Sequence, residues 1–325
     1  MSTDVQKPLV SILISVYNHS RYIERCLRSI ASQEVSFPYE VLVGEDCSTD
    51  NTREVLKALE PELPPCFHIL YREQNMGAVA NGEDLYTRAQ GTYLVDFEGD
   101  DFFLSPQRLA KQVKLLEKHP EYSAVYSNCL VVGEDSKPNG EKYPQCPSEF
   151  YNYDEFFYSC LPGQSGTLMC RREEYVTARN KFMQLKTYQF YPGDRRNAFL
   201  FLGMGKVYCI QEDLCAYRHI AKGGSSFSAN LEKGRQFARD EVAYGETLLA
   251  YAQRYGDAAA IDAAKDNMYR FKLRWCHGKR KVEGFGTVFK QIMAEDSHRL
   301  RYLFSPARWY AGLLVRVLQG RSIVL

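Results

Sequence analysis

One short stretch of the chain concentrates three carboxylates, Glu98, Asp100 and Asp101, around a single glycine. It follows the apolar run TYLVDF at 92–97 and precedes a predicted helix, so the carboxylates share one loop. Carboxylates this close repel each other, and Mg²⁺ relieves the repulsion when one or two of them bind it together with substrate phosphates. The loop is therefore a candidate metal site. The alternative is a solvated acidic turn that favours the start of the next helix.

A second acidic turn, EDCSTD at 45–50, follows another apolar run. A carboxylate buried beside a strand end can accept a hydrogen bond from a nucleobase imide. Tyr17, after the first apolar run, could stack on the same base, because aromatic rings bind base faces. The alternatives are an ordinary turn with Asp50 as helix cap, and a tyrosine packed on the adjacent helix.

Alternating strands and helices must position these turns. Apolar runs rich in Val, Ile and Leu predict buried strands, and apolar stripes at helical spacing predict the helices between them. Strand and helix in alternation imply a parallel sheet, in which ligands bind beyond the carboxyl ends of the strands. The predicted strands cover 9–16, 39–45, 67–71, 92–97 and 123–132, and the predicted helices include 50–60, a stretch near 79–90 and one that starts after Gly193 and Asp194.

Composition excludes several classes of protein. The 325 residues are 45% apolar and 25% charged, which is typical of a globular protein and excludes a largely disordered one. The 41 Lys and Arg against 40 Asp and Glu do not indicate a uniformly basic nucleic-acid surface. Ten cysteines without CxxC spacing predict reduced thiols, and the start MSTDVQKP is unlike a signal peptide, so we expect a cytoplasmic protein.

The last part of the chain differs from the rest in charge. We predict a domain over 1–228 and a helical, basic region over 229–325, since 265–325 hold 13 Lys or Arg and 4 Asp or Glu. One interpretation is peripheral docking on an anionic membrane, with the apolar residues of the stretch from Trp309 to Val317 as the inserted face. The other is a solvated basic face packed on the acidic part of the molecule.

Four segments resemble family 2 glycosyltransferases of the GT-A fold, a Rossmann-like, mostly parallel α/β sheet flanked by helices. They are VSILISVYN at 10–18, VLVGEDCSTDNT at 41–52, NMGAVAN at 75–81 and the strand ending in EGDD at 98–101, and the likeness spans roughly 8–220. Each string alone is weak, but four in the right order on the right elements are specific. The relatives that this resemblance suggests are bacterial surface-polysaccharide glycosyltransferases.

The resemblance implies roles for individual residues. Ser15, Tyr17 and Asp46 would hold the uridine of a UDP-sugar. Glu98, Asp100 and Asp101 would stand at the motif that binds a divalent metal, Mn²⁺ or Mg²⁺, and the ribose, with Asp100 serving both donor and metal. Glu98 departs from the family, which more often has Asp there, and this leaves open which of the three ligates the metal.

The segment from Thr187 to His219 resembles the family's acceptor side, where a Gly-Asp pair opens a helix. This carries the general base onto Asp194, a role that suits the chemistry because a sugar hydroxyl is a poor nucleophile at neutral pH. The alternative is that Asp194 only caps its helix. Arg218 matches a Tyr-Arg segment and could bind a phosphate.

Missing motifs separate the function classes. No GxGxxG follows the first strand and no GxxxxGK[ST] occurs, so dinucleotide oxidoreductases and P-loop NTPases lose their main support. The expected function is inverting transfer of one sugar from a UDP-sugar to an acceptor hydroxyl, with a lipid-linked glycan of bacterial polysaccharide assembly as the acceptor. The alternatives are a sugar-nucleotide-forming nucleotidyltransferase and a non-catalytic nucleotide-sugar-binding module.

Overall fold

The computed structural model describes residues 7–143, 145–158, 160–189, 193–220, 231–279, 282–296 and 299–302. These residues form an α/β protein built on one mixed sheet. Its strands are β1 (Val10–Val16), β2 (Tyr39–Glu45), β3 (Phe67–Tyr71), β4 (Tyr93–Glu98), β5 (Phe102–Phe103), β6 (Tyr122–Val132), β7 (Phe150–Tyr151), β8 (Met169–Arg171) and β9 (Lys206–Arg218).

The helices alternate with the strands in the first half of the chain and follow one another at its end. They are α1 (Ile23–Ala31), α2 (Thr52–Leu59), α3 (Ala78–Arg88), α4 (Arg108–Lys118), α5 (Tyr153–Phe157), α6 (Arg172–Leu185), α7 (Gly193–Met204), α8 (Leu231–Tyr255), α9 (Ala258–Lys279) and α10 (Val282–Glu295). The predicted strands and helices of the first 132 residues are confirmed within two residues or so at their ends.

The first four strands form the parallel part of the sheet, in the order β3, β2, β1, β4. They are parallel because each is separated from the next by a helix that returns the chain to the same end of the sheet. Residues of alternating position on β1, such as Ile12 and Ile14, are fully buried in the main apolar core together with Leu27 of α1 and Leu56 of α2. This face holds α1 and α2 on the sheet.

The second part of the sheet is mixed. The sequence predicted β6 in it, over 123–132, but not β5, β7, β8 or β9. β8 pairs antiparallel with both β4 and β6, and β9 runs parallel to β6 while β5 and β7 pair antiparallel with β9. Because β8 is antiparallel to β4 and β6 is antiparallel to β8, β6 runs in the same direction as β4, and β9 runs parallel to β6. Both β6 and β9 therefore also end at the edge where β1 and β4 end. The carboxyl ends of both parts of the sheet therefore meet along one edge.

The chain divides into two compact units. Unit 1 contains residues 1–179 and 197–231 and includes the sheet; unit 2 contains 180–196 and 232–325 and includes α8, α9 and α10. The helical character expected for the end of the chain holds for its described residues. The domain boundary near residue 228 stays a prediction. The stretch 180–196 comes before that boundary but is grouped with the C-terminal helices in unit 2.

No helix among the described residues is both long enough and apolar enough to span a bilayer. The apolar stretch from Trp309 to Val317, for which membrane docking was expected, lies outside the described residues.

Candidate active site

The candidate site lies at the carboxyl edge of the parallel strands of unit 1. Ser15 at the end of β1 pairs in the sheet with Gly44 of β2 on one side and with Glu98 of β4 on the other. This register brings two predicted donor-binding turns and the acidic loop to the same edge. Ser15 and Tyr17 are half-buried there.

Asp46 is buried and holds the loop that precedes α3. Its two carboxylate oxygens accept hydrogen bonds from the backbone N–H groups of Met76, at 2.7 Å, and Gly77, at 2.9 Å. The side-chain amide of Asn75 donates to the Asp46 carbonyl at 2.9 Å. Gly77 has a φ of 81°, a left-handed conformation that favours glycine. The NMG segment is thereby tied to the second acidic turn.

Asp50 joins the turn after β1 to the turn after β2. One of its oxygens accepts from the Ser20 hydroxyl at 2.7 Å and from the Ser20 N–H at 3.2 Å. The other accepts from the Thr52 N–H at 3.0 Å and from the Thr52 hydroxyl. Burial raises the pKa of this carboxyl, but the hydrogen bonds from Thr52 and Ser20 outweigh burial and lower the pKa below its ordinary value.

The three carboxylates of the acidic loop have different surroundings. Glu98 is exposed, whereas Asp100 and Asp101 are 4% and 2% exposed. Asp101 accepts from the Arg218 N–H at 2.7 Å and from the Gln164 side-chain amide at 3.4 Å. Burial raises the pKa of Asp101 well above its ordinary value, and the charges of Asp100 and Glu98 add to the rise. Both oxygens of Asp101 are thus engaged within the protein.

Asp100 has an oxygen without a partner. Its Oδ1 is buried and makes no hydrogen bond. A buried carboxylate oxygen left in this state costs free energy unless a cation or a ligand donor completes it. A divalent cation that also binds substrate phosphates needs only one or two protein carboxylates. Asp100 therefore fits a metal ligand. Among the described residues no three His, Cys, Asp or Glu side chains are grouped so that together they could hold a metal ion.

Arg218 lies under the acidic loop and is 1% exposed. Its Nε donates to the Asp100 carbonyl at 2.8 Å, and its Nη1 donates to the carbonyls of Gly133 and Glu134 at 2.8 and 3.1 Å. Its Nη2 donates to the Ser136 hydroxyl at 2.9 Å. Arg218 thus ties the loop after β6 to the acidic loop. The phosphate contact expected of it stays a prediction.

His19 is a further polar side chain at this edge. Its Nδ1 is buried without a hydrogen-bond partner and lies 2.8 Å from the position that a Cβ on Gly99 would take. Only glycine at position 99 leaves room for the imidazole. Burial lowers the pKa of His19, while the negative charges of Asp100 and Asp50 act in the opposite direction.

Asp194 belongs to unit 2. It is half-buried and is the second residue of α7. Its neighbour Arg195 is 8% exposed and donates to the side-chain oxygen of Asn267 on α9 at 3.0 Å. The role of Asp194 as a general base stays a prediction.

Sequence reasoning did not find three residues that shape the acidic loop. Gln164 contacts Asp101, and the buried Arg108 donates to the carbonyl of Gly166 two residues further on. His19 lies beside Gly99. No sequence spacing links Gln164 or His19 to the loop, because Gln164 is 63 positions from Asp101 and His19 is still further from Gly99. Arg108 is close to the loop in sequence, but its bond to Gly166 spans 58 positions. The glycines at 163 and 166, in a polar stretch next to an apolar strand, are the only local signal near Gln164.

The sequence that forms this site matches a known family. The family model of glycosyl transferase family 2 fits residues 11–176, which include every strand end of the site up to the acidic loop. The chain belongs to glycosyl transferase family 2. As a glycosyltransferase it carries the GT-A fold expected from its sequence motifs.

Individual relatives agree with this assignment. The glycosyltransferase is 29% identical over 239 residues to the Bacillus subtilis protein TuaG, named for teichuronic acid biosynthesis, and the match covers 73% of this chain and 89% of TuaG. It is 36% identical over 135 residues to an uncharacterised protein of Mycobacterium tuberculosis, of whose length the match spans 39%. The resemblance to bacterial surface-polysaccharide glycosyltransferases is thereby confirmed.

A solved structure has the same fold. Staphylococcus aureus TarS 1–349, crystallised with UDP-GlcNAc, superposes with a TM-score of 0.55 at 15% identity, over 88% of this chain and 92% of that one.

Proposed function

We propose that this glycosyltransferase is a metal-dependent, inverting enzyme that transfers one sugar from a UDP-sugar to an acceptor hydroxyl. The observation that carries the proposal is the unpartnered Oδ1 of Asp100, buried at the edge where β1, β2 and β4 end. Glu98 lies two residues earlier on the same loop and is exposed. A divalent ion, Mn²⁺ or Mg²⁺, held by Asp100 and Glu98 would neutralise the charge that develops on the leaving diphosphate.

The uridine is assigned to Ser15, Tyr17 and Asp46. Each oxygen of Asp46 accepts one backbone N–H and retains a second acceptor position, so the imide N–H of a uracil can be a third donor. Tyr17 is half-buried at the same edge and can stack on the base. The common fold with TarS, which was crystallised with UDP-GlcNAc, supports a UDP-sugar as the donor.

Asp194 is the proposed general base. It removes the proton of the acceptor hydroxyl as that oxygen attacks the anomeric carbon, and a single displacement of this kind inverts the configuration. A positioned carboxylate in this role contributes about 10²–10⁴ in rate.

The proposed acceptor is a lipid-linked glycan of bacterial surface-polysaccharide assembly. The likeness to TuaG, whose name refers to teichuronic acid biosynthesis, supports this class of acceptor. We also propose that the basic C-terminal region, 229–325, places the cytoplasmic enzyme on the anionic inner face of the plasma membrane.

Binding of Mn²⁺ tests the metal site. In the presence of UDP, the wild-type protein should bind Mn²⁺ as followed by electron paramagnetic resonance, and Asp100→Asn should weaken the binding at least tenfold. Asp213→Asn, on an exposed aspartate of β9, is the control and should bind like the wild type. Equal Mn²⁺ affinity of Asp100→Asn and the wild type, or full sugar transfer in excess EDTA, would remove the metal from the proposal.

Asp194→Asn tests the base. The variant should bind UDP as tightly as the wild type but transfer sugar at least ~10²-fold more slowly, because only the proton transfer is lost. Wild-type turnover would limit Asp194 to a structural role at the start of α7. UDP-sugar binding by the wild type without transfer to any acceptor would instead favour a non-catalytic binding module.

A further inference from the structure

The chain segment that leads to Asp194 is fastened to the C-terminal helices of unit 2. Thr187 and Thr247 of α8 are joined by a hydroxyl–hydroxyl bond of 3.0 Å, and the Gln189 N–H donates to the Asp240 carboxylate at 2.7 Å. The ring of Tyr188 meets that of Tyr244 edge-on, with centroids 5.5 Å apart.

A further contact to the C-terminal helices is made by Arg195, the residue next to Asp194. Arg195 reaches α9, where its Nη2 donates to Oδ1 of Asn267 at 3.0 Å. Asn267 is fully buried, and its own amide donates to the Ala263 carbonyl at 2.9 Å. This second bond fixes which way the amide faces, because the nitrogen is turned to Ala263 and the oxygen is left for Arg195.

A buried carboxylate of α8 interacts with the charge of Arg195. Glu241 of α8 is 5% exposed and accepts from Arg274 at 2.5 Å. Burial raises the pKa of Glu241, and the positive charges of Arg274, Arg270 and Arg195 oppose the rise. Arg195 therefore lies in the field of this carboxylate and is bound at a defined point of α9.

We infer that Asn267 is a positioning residue for the transfer reaction and acts through Arg195 on Asp194. The inference rests on the proposed role of Asp194 as base. Asp194 and Arg195 are adjacent in the first turn of α7, so a guanidinium held at a fixed point of α9 restricts how that turn can rotate or shift. Reaction rates are sensitive to such placement, since an error of about 1 Å at a reacting group can cost about 10²-fold. The C-terminal helices are on this view part of the catalytic apparatus.

The first experiment compares three variants of the full-length protein. Asn267→Ala removes the acceptor for Arg195 and should lower kcat about tenfold or more, with the donor KM and the affinity for UDP unchanged. Asn267→Asp keeps an oxygen facing Arg195 and should restore most of kcat. Tyr302→Phe is the control. It removes another buried hydrogen bond of α9, from the Tyr302 hydroxyl to the Asp266 carbonyl at 2.8 Å, but one that does not lead to Arg195.

A structural role alone predicts a different pattern. In that case Asn267→Ala and Tyr302→Phe would lower the unfolding temperature alike and leave kcat per folded molecule equal to the wild type, which would overturn the inference. A double-mutant cycle with Arg195→Ala gives a second readout. If Asn267 acts through Arg195, Asn267→Ala should cause no further loss of kcat in the Arg195→Ala background. Independent, multiplying losses would contradict the inference.

The variant of Asp194 separates this inference from the proposed function. If Asp194→Asn is inactive and Asn267→Ala retains wild-type kcat, the positioning role fails and the base assignment stands. If Asp194→Asn has wild-type turnover, the base assignment itself fails.

Discussion

Neighbouring carboxylates of this glycosyltransferase have separate tasks that depend on their partners. Asp50 and Asp101 accept hydrogen bonds from residues far away in the chain, and both serve to hold loops together. Asp100 lies at the same edge of the sheet and has an unpartnered buried oxygen. The presence or absence of hydrogen-bond partners decides which carboxylate is available to a ligand, because an oxygen that already accepts from an N–H or O–H group is less available to coordinate a cation.

Asp50→Ala should reduce the free energy of unfolding at pH 7 by about 1–3 kcal/mol, since an ionised acceptor of partly buried hydrogen bonds is lost. The pKa of Asp50 is lowered in the folded state, so its stabilisation is complete above the unfolded-state pKa and is lost as the pH falls through the folded-state value. The difference between variant and wild type should therefore shrink at acidic pH. Urea unfolding at pH 7 and in acid measures it, with Asp213→Ala as control. A difference independent of pH would contradict the assignment.

At the scale of elements, the site depends on loops that follow the carboxyl ends of strands. The NMG segment before α3 is held by Asp46 after β2, and the loop after β6 is held by Arg218 at the end of β9. Because these strands end at one edge of the sheet, each loop is fixed by a neighbour that is distant in sequence. The sheet thus provides rigid ends, and the polar contacts connect the loops above them.

Asp46→Asn should loosen the start of α3, because an amide side chain keeps only one acceptor oxygen for the N–H groups of Met76 and Gly77. We expect faster hydrogen exchange of these two amides and weaker UDP binding by about tenfold to a hundredfold, as a hydrogen bond to a charged group is lost. Hydrogen–deuterium exchange followed by mass spectrometry and titration calorimetry measure the two effects. Asp84→Asn is the matched control, since Asp84 lies on α3 itself and pairs with Arg72 and Arg88. Unchanged exchange at 76 and 77 in Asp46→Asn would show that the loop does not need Asp46.

At the scale of the whole molecule, the chain crosses from one unit to the other three times. Residues 180–196 leave unit 1 and pack with the C-terminal helices, and the chain then returns to form the end of α7 and β9. The predicted base and the predicted metal ligands consequently belong to different compact units. If Asp194 is the base, sugar transfer should require the C-terminal helices of unit 2, with which residues 180–196 are grouped.

A fragment of residues 1–228 should fold incompletely around 180–196. In the full-length protein Phe182 contacts the rings of Tyr244 and Tyr251, and all three are buried. Without α8 these contacts are lost, so trypsin should cut the fragment rapidly after Lys181 and Lys186 while the full-length chain is cut there slowly. Limited proteolysis with mass spectrometry compares the two. Equal cleavage rates would show that 180–196 do not depend on the C-terminal helices.

The sequence by itself determined the parts of this protein that local patterns specify. Short apolar runs were sufficient for β1 to β4, and apolar stripes at helical spacing were sufficient for the helices between them. The acidic turns follow two of these strands directly in the sequence. Parallel strands joined by helices must end at one edge, so the meeting of these turns followed from order alone. The four family motifs lie on these same elements.

Only the tertiary structure decided what depends on distant partners. Arg218 bonds to Asp101 across 117 positions, and Arg195 bonds to Asn267 across 72. No local pattern encodes such pairs, since each is set by the packing of strands and helices whose order in space differs from their order in the chain. The antiparallel β8, the pairing of β9 with β6 and the place of 180–196 in unit 2 have the same origin. The unpartnered oxygen of Asp100 was also decided by the tertiary structure, because whether a buried oxygen lacks a partner depends on every residue folded around it.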